Sequence, residues 1–252
     1  MALKEILDEA VARINVPDFI PADPVQFPHR FTDKRDIEIV SFLIATISWG
    51  KRQMILRNAD KILGILENAP YHFVLSGNID NINEDQNIHR TFFGRDLKYF
   101  LYGFREIYKK YGSLEDFAVK TGANTDSYPA WKLTEKMSAL FSDANSGKFQ
   151  SIRCLPGNLK NTPLKRINMA LRWLVRCDGI VDLGVWTAMK PSQLYIPLDV
   201  HVADTSRSLG ILSRNANDRR SAEEITACLR KFNAEDPIKY DFALFGLGIE
   251  KS

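Results

Sequence analysis

Two residues carry the most chemical promise in this chain, and they lie 34 positions apart: Lys165 and Asp199. Lys165 sits in a stretch of unusual charge. From Ala144 to Cys177 there is no Asp or Glu, while Lys148, Arg153, Lys160, Lys165, Arg166, Arg172 and Arg176 supply seven positive charges. The chain as a whole carries +3, so everything outside this stretch sums to −4. Positive charge concentrated on a mildly acidic body points to a polyanion-facing surface. Thr162 and Pro163 together predict a helix start, with Thr at the N-cap and Pro where a missing N–H costs nothing. That start places Lys165 in the first helical turn. Its helix would direct Ile167, Ala170, Leu171, Leu174 and Val175 to the core, with Lys165, Met169, Arg172 and Arg176 on another face. The preceding Leu155-Pro156-Gly157-Asn158 turn can offer backbone N–H groups to a phosphate, or be a turn and no more. Asp199 lies in Ile196-Pro197-Leu198-Asp199-Val200-His201-Val202, where it is placed to cap a helix running to Leu209 and stopped by Gly210. A carboxylate that accepts backbone N–H bonds in this way is favoured in its charged form.

The elements that must position these residues are helical. Leu3, Ile6, Leu7, Ala10, Val11 and Ile14 recur at helical spacing, and Pro17, Pro21, Pro24 and Pro28 then predict an extended connector. Helices are expected over Asp36–Ile47, Met54–Leu66, Leu97–Tyr111 and Ala130–Phe141, with Gly112 closing the third and Ser113 opening another. Residues 78–87, rich in Asn and Asp, read as a polar loop. No run alternates with the period of a sheet, so the fold class is all-α.

Composition narrows the function further. A 45% hydrophobic content over 252 residues suffices for one generous core or two small ones, and 26% charge excludes a low-complexity chain. Cys154, Cys177 and Cys228 are odd in number and far apart, which suits neither a disulfide framework nor a zinc or iron–sulfur site. No signal peptide or bilayer-length apolar run is read, so a cytoplasmic protein without membrane contact is expected.

Three pieces, in order, resemble the helix-hairpin-helix DNA glycosylase superfamily. Ile39 to Leu63, with its turn at Trp49-Gly50 and the following Lys51-Arg52-Gln53, is similar to the superfamily's opening barrel helices. The lysine-bearing helix after Leu155-Pro156-Gly157 is the second piece. The most specific is Ile196 to Val202, which resembles the segment holding the superfamily's catalytic aspartate. Asp236-Pro237 through Tyr240-Asp241-Phe242-Ala243-Leu244 to Gly248 is also similar to its last helix, so the resemblance runs from about Asp36 onward. The hairpin lacks its second glycine, and the lysine-to-aspartate spacing exceeds the common one. Both features are similar to the archaeal type of 8-oxoguanine glycosylase. Lys165-Arg166-Ile167-Asn168 and Pro197-Leu198-Asp199-Val200-His201 are shared with an uncharacterised bacterial family of the same fold.

The resemblance implies a two-lobed glycosylase-like fold, with a helical barrel over residues 36–176, a second lobe from 1–35 and 177–252, and DNA across the cleft. It implies excision of a damaged, oxidised base from double-stranded DNA by a monomer, with no cofactor or metal and possible AP-lyase activity. Lys165 would be the amine that attacks the sugar, and Asp199 the carboxylate that stabilises developing positive charge. An ordinary lysine is protonated at neutral pH, and a first-turn position beside Arg166 disfavours the ammonium. Lys160 is a competing nucleophile, closer to the usual hairpin position but in the loop before Thr162. Lys51, Arg52, Arg153, Gly157, Lys160, Arg166, Arg172, Arg176 and His201 would contact DNA. Trp49 and Phe245 would line the base pocket, ahead of Trp173, Trp186 and Phe242. Two other readings stand beside this one: a non-catalytic DNA- or RNA-binding protein on the same fold, and a metal-dependent hydrolase built on Asp199, His201 and Asp204.

Overall fold

Helical spacing of apolar residues becomes helix over most of the described residues. The computed structural model describes residues 2–146 and 155–249. In chain order the helices are α1 (Leu3–Ile14), α2 (Lys34–Ile47), α3 (Arg52–Ile65), α4 (Pro70–Ser76), α5 (Gly94–Tyr111), α6 (Leu114–Lys120) and α7 (Pro129–Ala144). They continue with α8 (Lys165–Val175), α9 (Val200–Ser208), α10 (Arg219–Phe232) and α11 (Tyr240–Ile249). Two short strands, β1 (Asn87–His89) and β2 (Phe92–Phe93), pair antiparallel between α4 and α5. They are too short for a period-2 pattern to show in the sequence. The fold is all-α with this one small hairpin, and among the described residues no helix is long and apolar enough to cross a membrane.

Two helices, α4 and α10, go beyond the sequence expectation. The first is only seven residues long. The second buries Ala222, Ile225, Thr226 and Leu229, whose helical spacing was present in the sequence although no helix was expected there. The proline-rich stretch differs in kind. It forms 3₁₀ turns at Pro17–Ala22, Pro24–Gln26 and Pro28–Arg30 rather than an extended connector. Proline's fixed φ suits a 3₁₀ turn as well as an extended chain, and Asp23 tips the balance by accepting the Val25 N–H at 3.0 Å.

The chain divides into two compact units, whose boundaries differ from those of the expected lobes. One unit comprises residues 23–126 and 131–157, the other 1–22, 127–130 and 158–252. The lysine-bearing α8, expected to end the barrel at residue 176, belongs instead with α9 and α11. The reason is its C-terminal half. The carbonyls of Trp173 and Leu174 accept N–H groups from Leu183, Gly184 and Trp186, so the following loop ties α8 to the chain after it. Gly184 makes this return possible, with φ +60° and no room for a Cβ, which would meet Cys177 at 2.3 Å.

The first unit is organised by α2, buried on every side from Ile37 to Ile47. The buried carboxylate of Glu38 accepts the N–H groups of Leu114 and Glu115, both at 3.0 Å, and so ties α2 to the start of α6. Tyr99, Phe100, Phe104 and Phe141 make edge-on ring contacts that join α5 to α7. The second unit gathers α1, α9, α10 and α11 around Leu7, Ala10, Ile196, Leu198, Val202, Ile225, Leu229, Tyr240 and Leu244. Its α1 is tied to α11 by Asp8, whose Oδ1 accepts from Lys239 Nζ at 2.8 Å and from the Tyr240 hydroxyl at 3.0 Å.

Candidate active site

The segment before α9 is held by its own apolar residues. Ile196 and Leu198 are buried in the second unit's core, and the Ile196 N–H donates to Thr226 Oγ1 on α10 at 3.0 Å. Asp199 is thereby delivered to the N-cap of α9, where its Oδ1 accepts the Val202 N–H at 2.9 Å. The cap expected from the sequence is present, and α9 ends at Ser208 with Gly210 at φ +70°.

The start of α8 differs from the expected one. Leu164, not Thr162, precedes the helix, and it adopts a left-handed conformation (φ 49°) with its side chain buried. Asn168 reaches back to donate to the Pro163 carbonyl at 3.0 Å. The helix therefore opens directly on Lys165, two positions nearer its N-terminus than Thr162-Pro163 implied. The outcome is an ion pair: Lys165 Nζ lies 3.0 Å from Asp199 Oδ2. One carboxylate oxygen is used by the helix cap and the other faces the amine. Their side chains are 32% and 21% exposed, so a reactant from solvent can reach both.

Two other cations of the acid-free stretch behave differently. Arg172 and Arg176 were expected to face phosphates, but they are only 5% and 3% exposed. Arg172 donates to Asp182 Oδ1 at 3.2 Å and is also hydrogen-bonded to Asp241. Arg176 donates to Asp178 at 2.6 Å, Asp236 at 2.8 Å and Asp182 at 2.9 Å. Both guanidiniums also lie over the Phe242 ring. The acids that neutralise the stretch come from the loop after α8 and from the chain around α11. Two of the seven positive charges read in sequence are thus internal, and these two arginines are corrected to structural ion pairs. Burial pushes the Asp241 carboxyl up to about 6, against the pull of Arg172 and with the help of the Asp199 charge. Burial raises Asp182 as well, opposed by both arginines.

The remaining site residues divide by accessibility. Lys51, Arg52, Gly157, Lys160 and His201 are exposed, and Arg166 is half-buried. Arg153, together with Lys148 and Cys154, lies outside the described residues. Trp49, expected in a base pocket, is half-buried, with Arg90 over its ring at 4.5 Å and His89 against it edge-on. Phe245, on α11, is half-buried and packs edge-on to Phe19 at 6.2 Å. Trp173, Trp186 and Phe242 are buried core residues, which removes them as base platforms. Among the described residues no three His, Cys, Asp or Glu side chains are grouped to hold a metal, which leaves the Asp199–His201–Asp204 hydrolase without a built site.

Sequence reasoning missed Asp178, Asp182, Asp236, Asp241 and Arg90. The available signal for the acids was indirect. Two arginines sharing a helix with five core residues need partners, and each of these carboxylates is distant in sequence from at least part of the network. Arg90 sits at the tip of the β1–β2 hairpin with φ 53°, a conformation that no local motif announced.

With this geometry in hand, comparison with known proteins gives one match. The family described as "Protein of unknown function (DUF2400)" matches residues 23–250, and the chain belongs to it. No curated protein and no solved structure matches the chain.

Proposed function

We propose that this DUF2400 chain is a DNA base-excision glycosylase with AP-lyase capability, on a two-lobed helix-hairpin-helix-like fold, acting on an oxidised base in double-stranded DNA. The observation that carries the reading is the Lys165–Asp199 pair, brought from 34 residues apart to 3.0 Å at two helix starts and left open to solvent. An amine beside a carboxylate on a partly exposed surface has the parts needed for covalent attack on a sugar carbon. Asp199 takes the ammonium proton, and the neutral amine bonds to C1′ as the bond from C1′ to the base breaks. Asp199 passes its proton to the departing base and is a carboxylate again; the C1′–O4′ bond then breaks, O4′ takes a proton from the nitrogen, and a protonated imine is left between Nζ and C1′. Asp199, anchored by its cap to Val202, then faces the positive charge of that imine at fixed geometry. The exposed Lys160 is a phosphate contact in this reading, with Arg166 beside the nucleophile.

A covalent trap tests it. Borohydride present during incubation with duplexes carrying an oxidised purine, an oxidised pyrimidine, uracil or an abasic site should join protein to DNA. The modified peptide should map to Lys165. Lys165→Gln should abolish the adduct and still bind DNA, while Lys160→Gln should leave it intact. Tight DNA binding with no adduct and no base release from any duplex would favour a non-catalytic binding protein instead.

A further inference from the structure

A buried carboxyl on the helix that packs against α9 is not used by the reaction just described. Asp241, on α11, is 6% exposed and bonded to Arg172, which sits seven residues after Lys165 and therefore on the same face of α8. Its helix packs against α9, whose cap is Asp199. The approach of these helices is close. A Cβ at Gly248 would stand 2.8 Å from Thr205 Oγ1 and 3.4 Å from His201 Cβ. Asp241 is thus connected to both members of the pair, through Arg172 to the lysine's helix and through the α9–α11 contact to the aspartate's.

The charges around it do not balance. Two guanidiniums, Arg172 and Arg176, face the four carboxyls of Asp178, Asp182, Asp236 and Asp241. Asp199 adds a further negative charge that Asp241 feels. Several like charges in a buried space cannot all ionise without cost, so one carboxyl retains its proton to unusually high pH. Asp182 accepts from both arginines, which opposes the upward push of its burial, whereas Asp241 is bonded to Arg172. The loop and α8 thus present Asp182 and Arg172 to Asp241, and α9 presents Asp199. From α1 and the 3₁₀ turn Pro237–Lys239 come Asp8 and Lys239, which pair with each other. His201 lies against Gly248, two turns along α11.

We propose that Asp241 is a positioning residue for the Lys165–Asp199 pair, a buried carboxyl that holds or releases a proton and so sets the field in which amine and carboxylate act; it rests on the reading of that pair as catalytic. With its proton in place, Asp241 adds no charge beside Asp199. When the proton leaves to solvent, a second negative charge appears behind the pair, which strengthens the hold on the lysine's positive charge and slows attack by the amine. Burial already lifts the Asp241 carboxyl to about 6, within the range where this change matters.

The experiment has two arms on the full-length protein. In the first, carboxyl-carbon NMR shifts of Asp241 and Asp199 are followed from pH 4.5 to 8 without DNA. Asp241 should titrate near pH 6, and the Asp199 signal should carry an inflection at the same midpoint that disappears in Asp241→Asn. An Asp199 signal without that inflection, or one that keeps it in the variant, overturns the proposal. If Asp241→Asn fails to fold, coincidence of the two midpoints in the wild-type protein decides the matter. In the second arm, the single-turnover rate of borohydride trapping on an abasic-site duplex is measured across the same range. The ratio of variant to wild-type rate should rise several-fold through pH 6, which a purely structural residue would not produce, and a ratio flat in pH overturns the proposal. Coincident NMR midpoints with no adduct from any duplex would uphold the coupling and overturn the catalytic reading of the pair.

Discussion

Replacing Arg176 by Met separates a structural arginine from a DNA-binding one. The guanidinium holds three carboxylates at 2.6 to 2.9 Å and is 3% exposed. Met keeps much of the apolar stem and removes all three ion pairs. Asp182, itself buried, then retains only Arg172. Removing one partner of a buried pair costs about 3–5 kcal/mol, because the charge left behind is uncompensated. Set against a typical total of about 5–15 kcal/mol, that is a large share of the stability. With an m-value of about 2 kcal/mol/M, the urea midpoint at pH 7 should fall by roughly 2 M. The loss should shrink toward pH 4.5. Burial already raises Asp182, and loss of Arg176 raises it further, so the variant's fold is least penalised where Asp182 is protonated and weakens as pH rises. Adding Asp182→Asn should recover part of the loss, since the stranded charge is gone. The assays are urea unfolding followed by circular dichroism at the two pH values, and DNA affinity against salt. A midpoint shift below about 0.3 M, together with a log–log salt slope flattened by about 1, would refute the reasoning and return Arg176 to the phosphate-contacting surface.

Asp199→Asn keeps a side chain able to cap α9, so unfolding should change by no more than about 1 kcal/mol while borohydride trapping falls by orders of magnitude; near-normal trapping would reduce Asp199 to a cap. Asp8→Asn should weaken the attachment of α1 to α11 in a pH-dependent way. Burial tends to raise the Asp8 carboxyl, but hydrogen bonds from Lys239, Lys4 and Tyr240 outweigh it and hold it at about 2. Its contribution is therefore present above pH 4 and is lost as pH falls through 2, so wild type and variant should differ in melting at pH 7 and the gap should narrow steadily from pH 4 down to 2. Gly103→Ala places a Cβ 2.1 Å from the Phe141 ring, and thermal unfolding should show a loss of about 1–3 kcal/mol unless the ring can move aside.

The sequence alone determined what short-range physics controls. Apolar spacing located α1, α2, α3, α5 and α7 because helix formation and one-sided burial act over a few turns. The caps at Ser113 and Asp199 and the stop at Gly112 were legible because each depends on residues no more than four positions away. Single residues overrode the pattern at boundaries, as where Leu164 turns left-handed and moves the start of α8 to Lys165. Charge was the quantity that sequence misrepresented. The acid-free stretch looked like one exposed basic face, yet Arg176 meets Asp236 from 60 residues away and Arg172 meets Asp241 from 69. Only the tertiary structure decided which cations face solvent and which are buried among acids, because electrostatic pairing depends on distance in space. The same dependence brings Lys165 to Asp199. Each residue was legible as a candidate, but the 3.0 Å between them depends on where the chain delivers the starts of α8 and α9.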